Sequence, residues 1–232
     1  MNSSTSTGIL IRGKISEWTR SIIHEYEQNF PNTTIVLSTW DTENVDDISC
    51  TIVQSKEPEI PKPHKLTVNH QILAVREGLK HMSKCDIILN CRTDQVIHNR
   101  NIFEIFQTAC SENKIMIPSL GTNFPDYYIV DYCQVAKRNL LIDYWNNVPL
   151  YDGSYSISAE LYIPKFYVNN VKKDPRSWKI TQNEYFCIKG LHEHFKLEWE
   201  KLSTNEFYQR DYKNDKSNNS MLYDNYIELI NT

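Results

Sequence analysis

Along the first 120 residues the apolar positions switch between two periods. Residues 8–12, Gly-Ile-Leu-Ile-Arg, form a short apolar run that reads as a buried strand. Ile15, Trp18, Ile22, Ile23, Tyr26 and Phe30 then step three or four apart, the spacing of one helical face, with Ser16 and Pro31 as punctuation. Residues 34–39 and 51–54 read as two more strands, and the three prolines within 57–63 impose an extended loop. Helical spacing returns over 69–82 through Ile72, Val75, Leu79 and Met82, followed by a strand at 86–91. A helix over 102–109 and a strand at 115–117 complete the alternation, which is the signature of a layered α/β domain with a mostly parallel sheet.

Beyond residue 125 the texture changes. Residues 128–132 read as a strand, 137–145 as a short helix and 158–168 as a helical stretch interrupted by Pro164. Two amphipathic pieces, near 191–202 and 221–230, flank a polar loop at 213–219. The expected architecture is an α/β domain over residues 1–168 carrying a mainly helical C-terminal extension over 169–232.

Charge narrows the function. With 25 basic and 29 acidic side chains the net charge is −4 and the pI about 6.0, unlike a protein that coats nucleic acid. No segment reaches the roughly 18 consecutive apolar residues of a spanning helix, and residues 1–7 lack the basic-then-apolar pattern of a signal peptide. Any membrane contact is therefore expected to be peripheral, for instance through the aromatic, lysine-bearing stretch 189–212. The six cysteines form no CxxC pair and read as scattered thiols in a reducing compartment, hence a cytoplasmic location. Only six glycines are present, and none builds a glycine-rich phosphate loop.

In an open α/β sheet ligands bind beyond the carboxyl ends of the strands. That rule selects Arg12, then Trp40 and Asp41, then Arg92, Thr93 and Asp94. An aromatic and an acid can hold a base and ribose, arginines neutralise a diphosphate through paired donors, and an aspartate can bring in a divalent cation. Jointly they describe a nucleotide-diphosphate site.

The same segments resemble the WavE-type lipopolysaccharide-synthesis family of bacterial glycosyltransferases. The matching pieces are 9–13 (Ile-Leu-Ile-Arg-Gly), 31–41 (Pro-Asn-Thr-Thr-Ile-Val-Leu-Ser-Thr-Trp-Asp), 69–72 with Arg76, Gly78 and Leu79, and 91–94 (Cys-Arg-Thr-Asp). Weaker likenesses lie at 129–132 and 158–162, so the resemblance spans roughly 8–168 and leaves out the tail. It implies a glycosyltransferase-A-like sandwich in which Thr39, Trp40 and Asp41 face the nucleotide. Asp94 would stand at the last acid of the metal-binding DxD element, with Mn²⁺ or Mg²⁺ as the cation, although Arg92 replaces the first acid and could itself neutralise phosphate. Asn69, Gln71 and Arg76, on the following helix, could hold donor phosphate and sugar hydroxyls.

Sugar transfer with inversion needs a carboxylate to take the acceptor hydroxyl proton, and Asp131 and Glu160 are the candidates. The leading reading is a glycosyltransferase moving a sugar from a nucleotide-sugar donor to a lipopolysaccharide or capsule acceptor, free or lipid-linked. A non-catalytic nucleotide- or glycan-binding module and a nucleotidyl- or phosphotransferase on the same fold are the alternatives.

Overall fold

The computed structural model describes residues 5–119 and 125–199. A seven-stranded sheet forms its centre, built from β1 (Thr7–Arg12), β2 (Thr34–Trp40), β3 (Thr51–Ser55), β4 (Ile87–Arg92), β6 (Ile115–Pro118), β7 (Cys133–Lys137) and β8 (Phe186–Lys189). Their order is β3-β2-β1-β4-β7-β6-β8, and only β7 runs against its neighbours, so the sheet is mostly parallel. A two-stranded antiparallel ribbon joins β5 (Gln95–Ile97) to β9 (Leu197–Trp199). The central strands are apolar on both faces, as a sheet covered on both sides requires.

The helices follow from the connections. The chain steps from β1 to β2 in one direction across the sheet and from β3 to β4 in the other. Right-handed crossovers therefore place α1 (Thr19–Asn29) and α2 (Val68–Lys80) on opposite faces. α3 (Ile102–Ala109) meets α1 through an edge-to-face contact of Phe30 with Phe103, ring centres 5.7 Å apart. α4 (Arg138–Asn146) and α5 (Ala159–Phe166) pack beside α2. Gly78 lets α2 approach the sheet, because a Cβ there would collide with Leu10 and lie 3.1 Å from the Ser38 Cβ.

Three expectations are corrected. Residues 128–132 are not a strand; the ladder begins at Cys133. Their backbone is diverted: the Ile129 N–H donates to the Glu160 carbonyl at 2.9 Å, and the Asp131 carbonyl accepts from Arg12. Residues 15–18 stay outside α1, in the loop that follows β1. The amphipathic piece expected near 191–202, within a mainly helical extension, is in its described part a π-helical turn, Leu191–Phe195, and then β9, whose Trp199 pairs with Gln95.

Past residue 168 the described chain also holds a π-helical turn at Tyr167–Val171, α6 (Trp178–Tyr185) and β8, which adds a parallel edge strand beside β6. The expected polar loop at 213–219 and amphipathic piece at 221–230 lie outside the described residues, as does 200–212 of the stretch considered for membrane contact. Among the described residues no helix is long and apolar enough to cross a membrane.

Candidate functional site

Strand register assembles the site. Arg12, the last residue of β1, sits beside Ser38 on β2 and Arg92 on β4, so β1 and β4 end level while β2 runs two residues further, to Trp40. Over these ends opens a cleft of about 580 Å³. Its walls are the loop 13–16, Trp40, Glu57 and Ile60 from the proline-rich loop, Thr67, His70 and Gln71 at the start of α2, and Arg12 with Arg92, Thr93 and Asp94. Gly13 turns the chain after β1 at φ +117°, a conformation side chains resist, and its N–H donates to the Ser38 carbonyl at 3.0 Å. Thr93 ties the same loop down. Its hydroxyl donates to the Lys14 carbonyl, and its own carbonyl accepts from Ser16 at 3.1 Å and Thr19 at 3.0 Å.

Arg12 is 1% exposed and its donors are committed within the protein. Nε donates to Asn90 Oδ1 at 3.1 Å, Nη1 to Gln71 and Nη2 to the Asp131 carbonyl, with Asp131 Oδ2 3.7 Å away. Its guanidinium also lies over the Trp145 ring, 5.4 Å from the centre. Burial pulls this arginine below its ordinary pKa, and Asp131 opposes that shift. Gln134 completes the buried network by accepting from Asn90 at 3.2 Å and from the Trp145 indole at 2.9 Å.

Arg92 and Asp94 form a second, bidentate pair: Nε and Nη2 donate to the two carboxylate oxygens at 2.8 Å each. The Trp199 indole donates to Asp94 Oδ2 at 3.1 Å, stacks on Tyr132 with centres 5.3 Å apart, and lies under the Arg92 guanidinium at 5.8 Å. Burial would lower the Arg92 pKa, but the bonds from Asp94 outweigh it and the net shift is upward.

Asp94, expected as the cation ligand, is engaged by protein donors in this arrangement. Each oxygen already accepts from Arg92 and one also from Trp199, and no trio of His, Cys, Asp or Glu among the described residues could hold a metal.

Asp131 and Glu160 come together because of a proline. Pro164 has no N–H to give the carbonyl four residues back, so the Glu160 carbonyl accepts from Ile129 instead, bringing the 129–131 segment against the first turn of α5. Glu160 is pushed up to about 7, by burial first and then by the nearby negative charge of Asp131, while Arg92 partly offsets the rise. Arg12, Arg92 and Asp94 line the cleft, whereas Asp131 and Glu160 do not line it and join the same charge cluster through Arg12 and Arg92.

Of the residues selected from sequence, Arg12, Trp40, Gln71, Arg92, Thr93 and Asp94 line the cleft. Trp40 is 1% exposed and packs edge-to-face on His70, centres 5.4 Å apart. Thr39 is fully buried, and Asp41 is exposed beyond the strand with its N–H on the Ser55 carbonyl. Asn69 clamps Tyr151 through both halves of its amide, at 2.9 and 2.7 Å. Arg76 caps the end of α4, donating to the carbonyls of Trp145, Asn146 and Val148. Asn90 and Gln134 escaped the sequence reading, although a polar residue inside an apolar strand run is a visible signal; Trp199 gives no local signal at all.

No curated protein matches the chain in sequence. Among solved structures it is similar to a glycosyltransferase involved in the glycosylation of the major capsid of PBCV-1, at 9% identity over 81% of this chain and 83% of that one, TM-score 0.42. It is similar to HddC from Yersinia pseudotuberculosis, at 9% identity over 90% and 99% of the two chains, TM-score 0.47. A third similar structure is the 4-diphosphocytidyl-2C-methyl-D-erythritol synthase from Anaerococcus prevotii, at 11% identity over 72% and 86%, TM-score 0.45. Residues 10–118 match the model of the WavE lipopolysaccharide synthesis family, and that stretch supplies every described residue that lines the cleft.

Proposed function

We propose that this protein is a glycosyltransferase that moves a sugar from a nucleotide-sugar donor onto a surface-glycan acceptor of the lipopolysaccharide or capsule kind. The observation that carries the reading is the open cleft above the carboxyl ends of β1, β2 and β4, built entirely within the stretch that matches a lipopolysaccharide-synthesis family. In this reading the donor diphosphate lies against Lys14 and Arg92. Lys14 is exposed at the cleft, 3.8 Å from Glu43, and Arg92 gives Asp94 its Nε and Nη2 donors. Because Asp94 is held by Arg92, charge neutralisation falls to these cations. Glu160, poised near neutrality, takes the proton of the acceptor hydroxyl as the new glycosidic bond forms, and the nucleoside diphosphate leaves. Asp131 holds Arg12 and supplies the negative charge that helps keep Glu160 basic. The reaction is placed in the cytoplasm, with peripheral contact to a membrane that presents lipid-linked acceptor.

The Arg92–Asp94 pair also favours a second reading, a nucleotide- or glycan-binding module without turnover, since the acid is already neutralised. One panel separates the two. Uridine-, guanosine-, cytidine- and thymidine-diphosphate sugars are screened by thermal shift with and without Mn²⁺, and the positive donors are then assayed for release of nucleoside diphosphate. A ligand at a hundredfold excess over its dissociation constant stabilises by about 2.7 kcal/mol, a readily detected shift. Binding with diphosphate release supports the transferase. Binding without release with any acceptor supports the module, release of sugar 1-phosphate indicates nucleotidyl transfer, and no binding removes the donor site.

A further inference from the structure

The notable chemistry outside the cleft lies at the far edge of the sheet, where two thiols meet. Cys110 follows the last turn of α3 in an extended conformation, φ −132° and ψ 140°. Cys187 sits on the edge strand β8, in register with Met116 of β6. The Cys187 thiol donates to the Ala109 carbonyl at 3.6 Å, which places its sulfur beside the residue preceding Cys110; the Cys110 thiol lies 3.6 Å from the Ser111 carbonyl and interacts with Cys187. Both are half-buried, as is Cys50, whose thiol burial pushes up to about 11, whereas Cys85, Cys91 and Cys133 are buried.

We infer that Cys110 and Cys187 form a redox-active dithiol that closes to a disulfide when challenged by a low-molecular-weight disulfide such as oxidised glutathione. The electrostatics suit the exchange. The hydrogen bond from Cys110 is the main cause that brings Cys187 down to about 7, against its burial, and Lys189 and Lys114 assist. The same bond raises Cys110. Cys187 is therefore the attacking thiolate at neutral pH, and an attacking thiol works best with a pKa near the ambient value. Its sulfur attacks one sulfur of oxidised glutathione and expels one glutathione thiolate. Cys110 then loses its proton and attacks the Cys187 sulfur of the mixed disulfide, expelling the second glutathione. Two protein thiols are oxidised to one disulfide, and one glutathione disulfide is reduced to two thiols. The bond would tie the end of α3 to the edge strand, from which the chain runs through Leu191–Phe195 to β9 and the Trp199 indole on Asp94.

The inference is independent of the proposed transferase activity and is read without it. The purified full chain is equilibrated in glutathione buffers of graded potential, free thiols are trapped by alkylation, and the intact mass and peptide map are recorded. The expected result is the joint loss of two alkylatable thiols with one crosslinked peptide pair, Cys110–Cys187, while the buried cysteines are unchanged. Separately, Cys110→Ala should slow alkylation of Cys187 at pH 7 by roughly tenfold, because the thiolate is the reactive form. Cys187→Ser should abolish the crosslinked peptide pair. The inference is overturned if both thiols stay alkylatable in oxidised glutathione, if the crosslink joins a different pair, or if Cys110→Ala leaves the Cys187 rate unmoved. The wild-type titration needs no variant to fold.

Discussion

Glu160 is the residue whose chemistry depends most on its neighbours. An ordinary glutamate is fully ionised at neutral pH and a weak base; this one is raised to about 7 by burial and by Asp131, so a proton can reach it and leave it there. Two consequences have opposite signs and can be measured separately. Proton removal from the acceptor requires the ionised form, so turnover should rise with pH through about 7, and Glu160→Gln should cost about 10² to 10⁴ in rate with donor affinity retained. Stability runs the other way. A carboxyl whose folded pKa lies above its unfolded value holds extra protons in the native state, so the protein loses stability as pH climbs from the unfolded value toward 7. Glu160→Gln should therefore melt higher than wild type at pH 8 and show a smaller difference at pH 4. A dead variant with no such pH-dependent gain would mean that Glu160 acts through structure alone. Asp131→Asn is the companion. It leaves the Arg12 carbonyl bond in place but removes the charge facing Glu160, so the ascending limb of the rate profile should move to lower pH.

At the scale of elements, α2 shows how a face can be misjudged from spacing. Its apolar side was legible from Ile72, Val75 and Leu79, and its boundaries from the prolines before it and the polar residues after it. Asn69, Gln71 and Arg76 were read as donor-binding, yet of these three only Gln71 lines the cleft, while Arg76 closes the carbonyl end of α4. The partners of Arg76 lie about seventy residues downstream, and no local pattern reveals them. Arg76→Ala should thus leave donor affinity unchanged while lowering stability by about 1.5–3 kcal/mol, the usual worth of hydrogen bonds from a charged group. Chemical denaturation beside a donor titration checks both halves, and weakened donor binding in a stable variant would return Arg76 to the cleft. The same limit explains the elements that spacing missed. β5 and β9 have three residues each and exist only through pairing a hundred positions apart. The apolar run at 128–132 satisfies every strand criterion, but Pro164 redirects its hydrogen bonds to α5. By contrast β1, β2 and β4 are long buried runs whose carboxyl edge follows from register, which is why Arg12, Trp40 and residues 92–94 could be picked from the sequence.

Across the whole molecule, the ribbon of β5 and β9 links the cleft to the far side of the sheet. At one end Trp199 braces Asp94; at the other His98, just past β5, joins two distant acids. His98 Nδ1 lies 2.6 Å from Glu25 on α1, and Nε2 lies 2.9 Å from Glu198 on β9, so the doubly protonated ring can donate to both. Burial would lower its pKa, but the bonds to Glu198 and Glu25 outweigh burial and raise it above the ordinary 6.5. A histidine whose folded pKa is raised contributes its full stabilisation below the unfolded value and loses it as pH rises through the folded one. The three side chains are partly exposed, so the effect is screened by salt and is best read as a difference between proteins. Wild type should melt above His98→Gln at pH 6, and the gap should narrow as pH climbs past the raised value and at high ionic strength. Glu25→Gln should reproduce the loss at pH 6, since it removes one carboxylate from the clasp. A gap that stays constant from pH 6 to pH 9 would show that His98 contributes only by packing, and that the ribbon is held beside Asp94 without help from protonation.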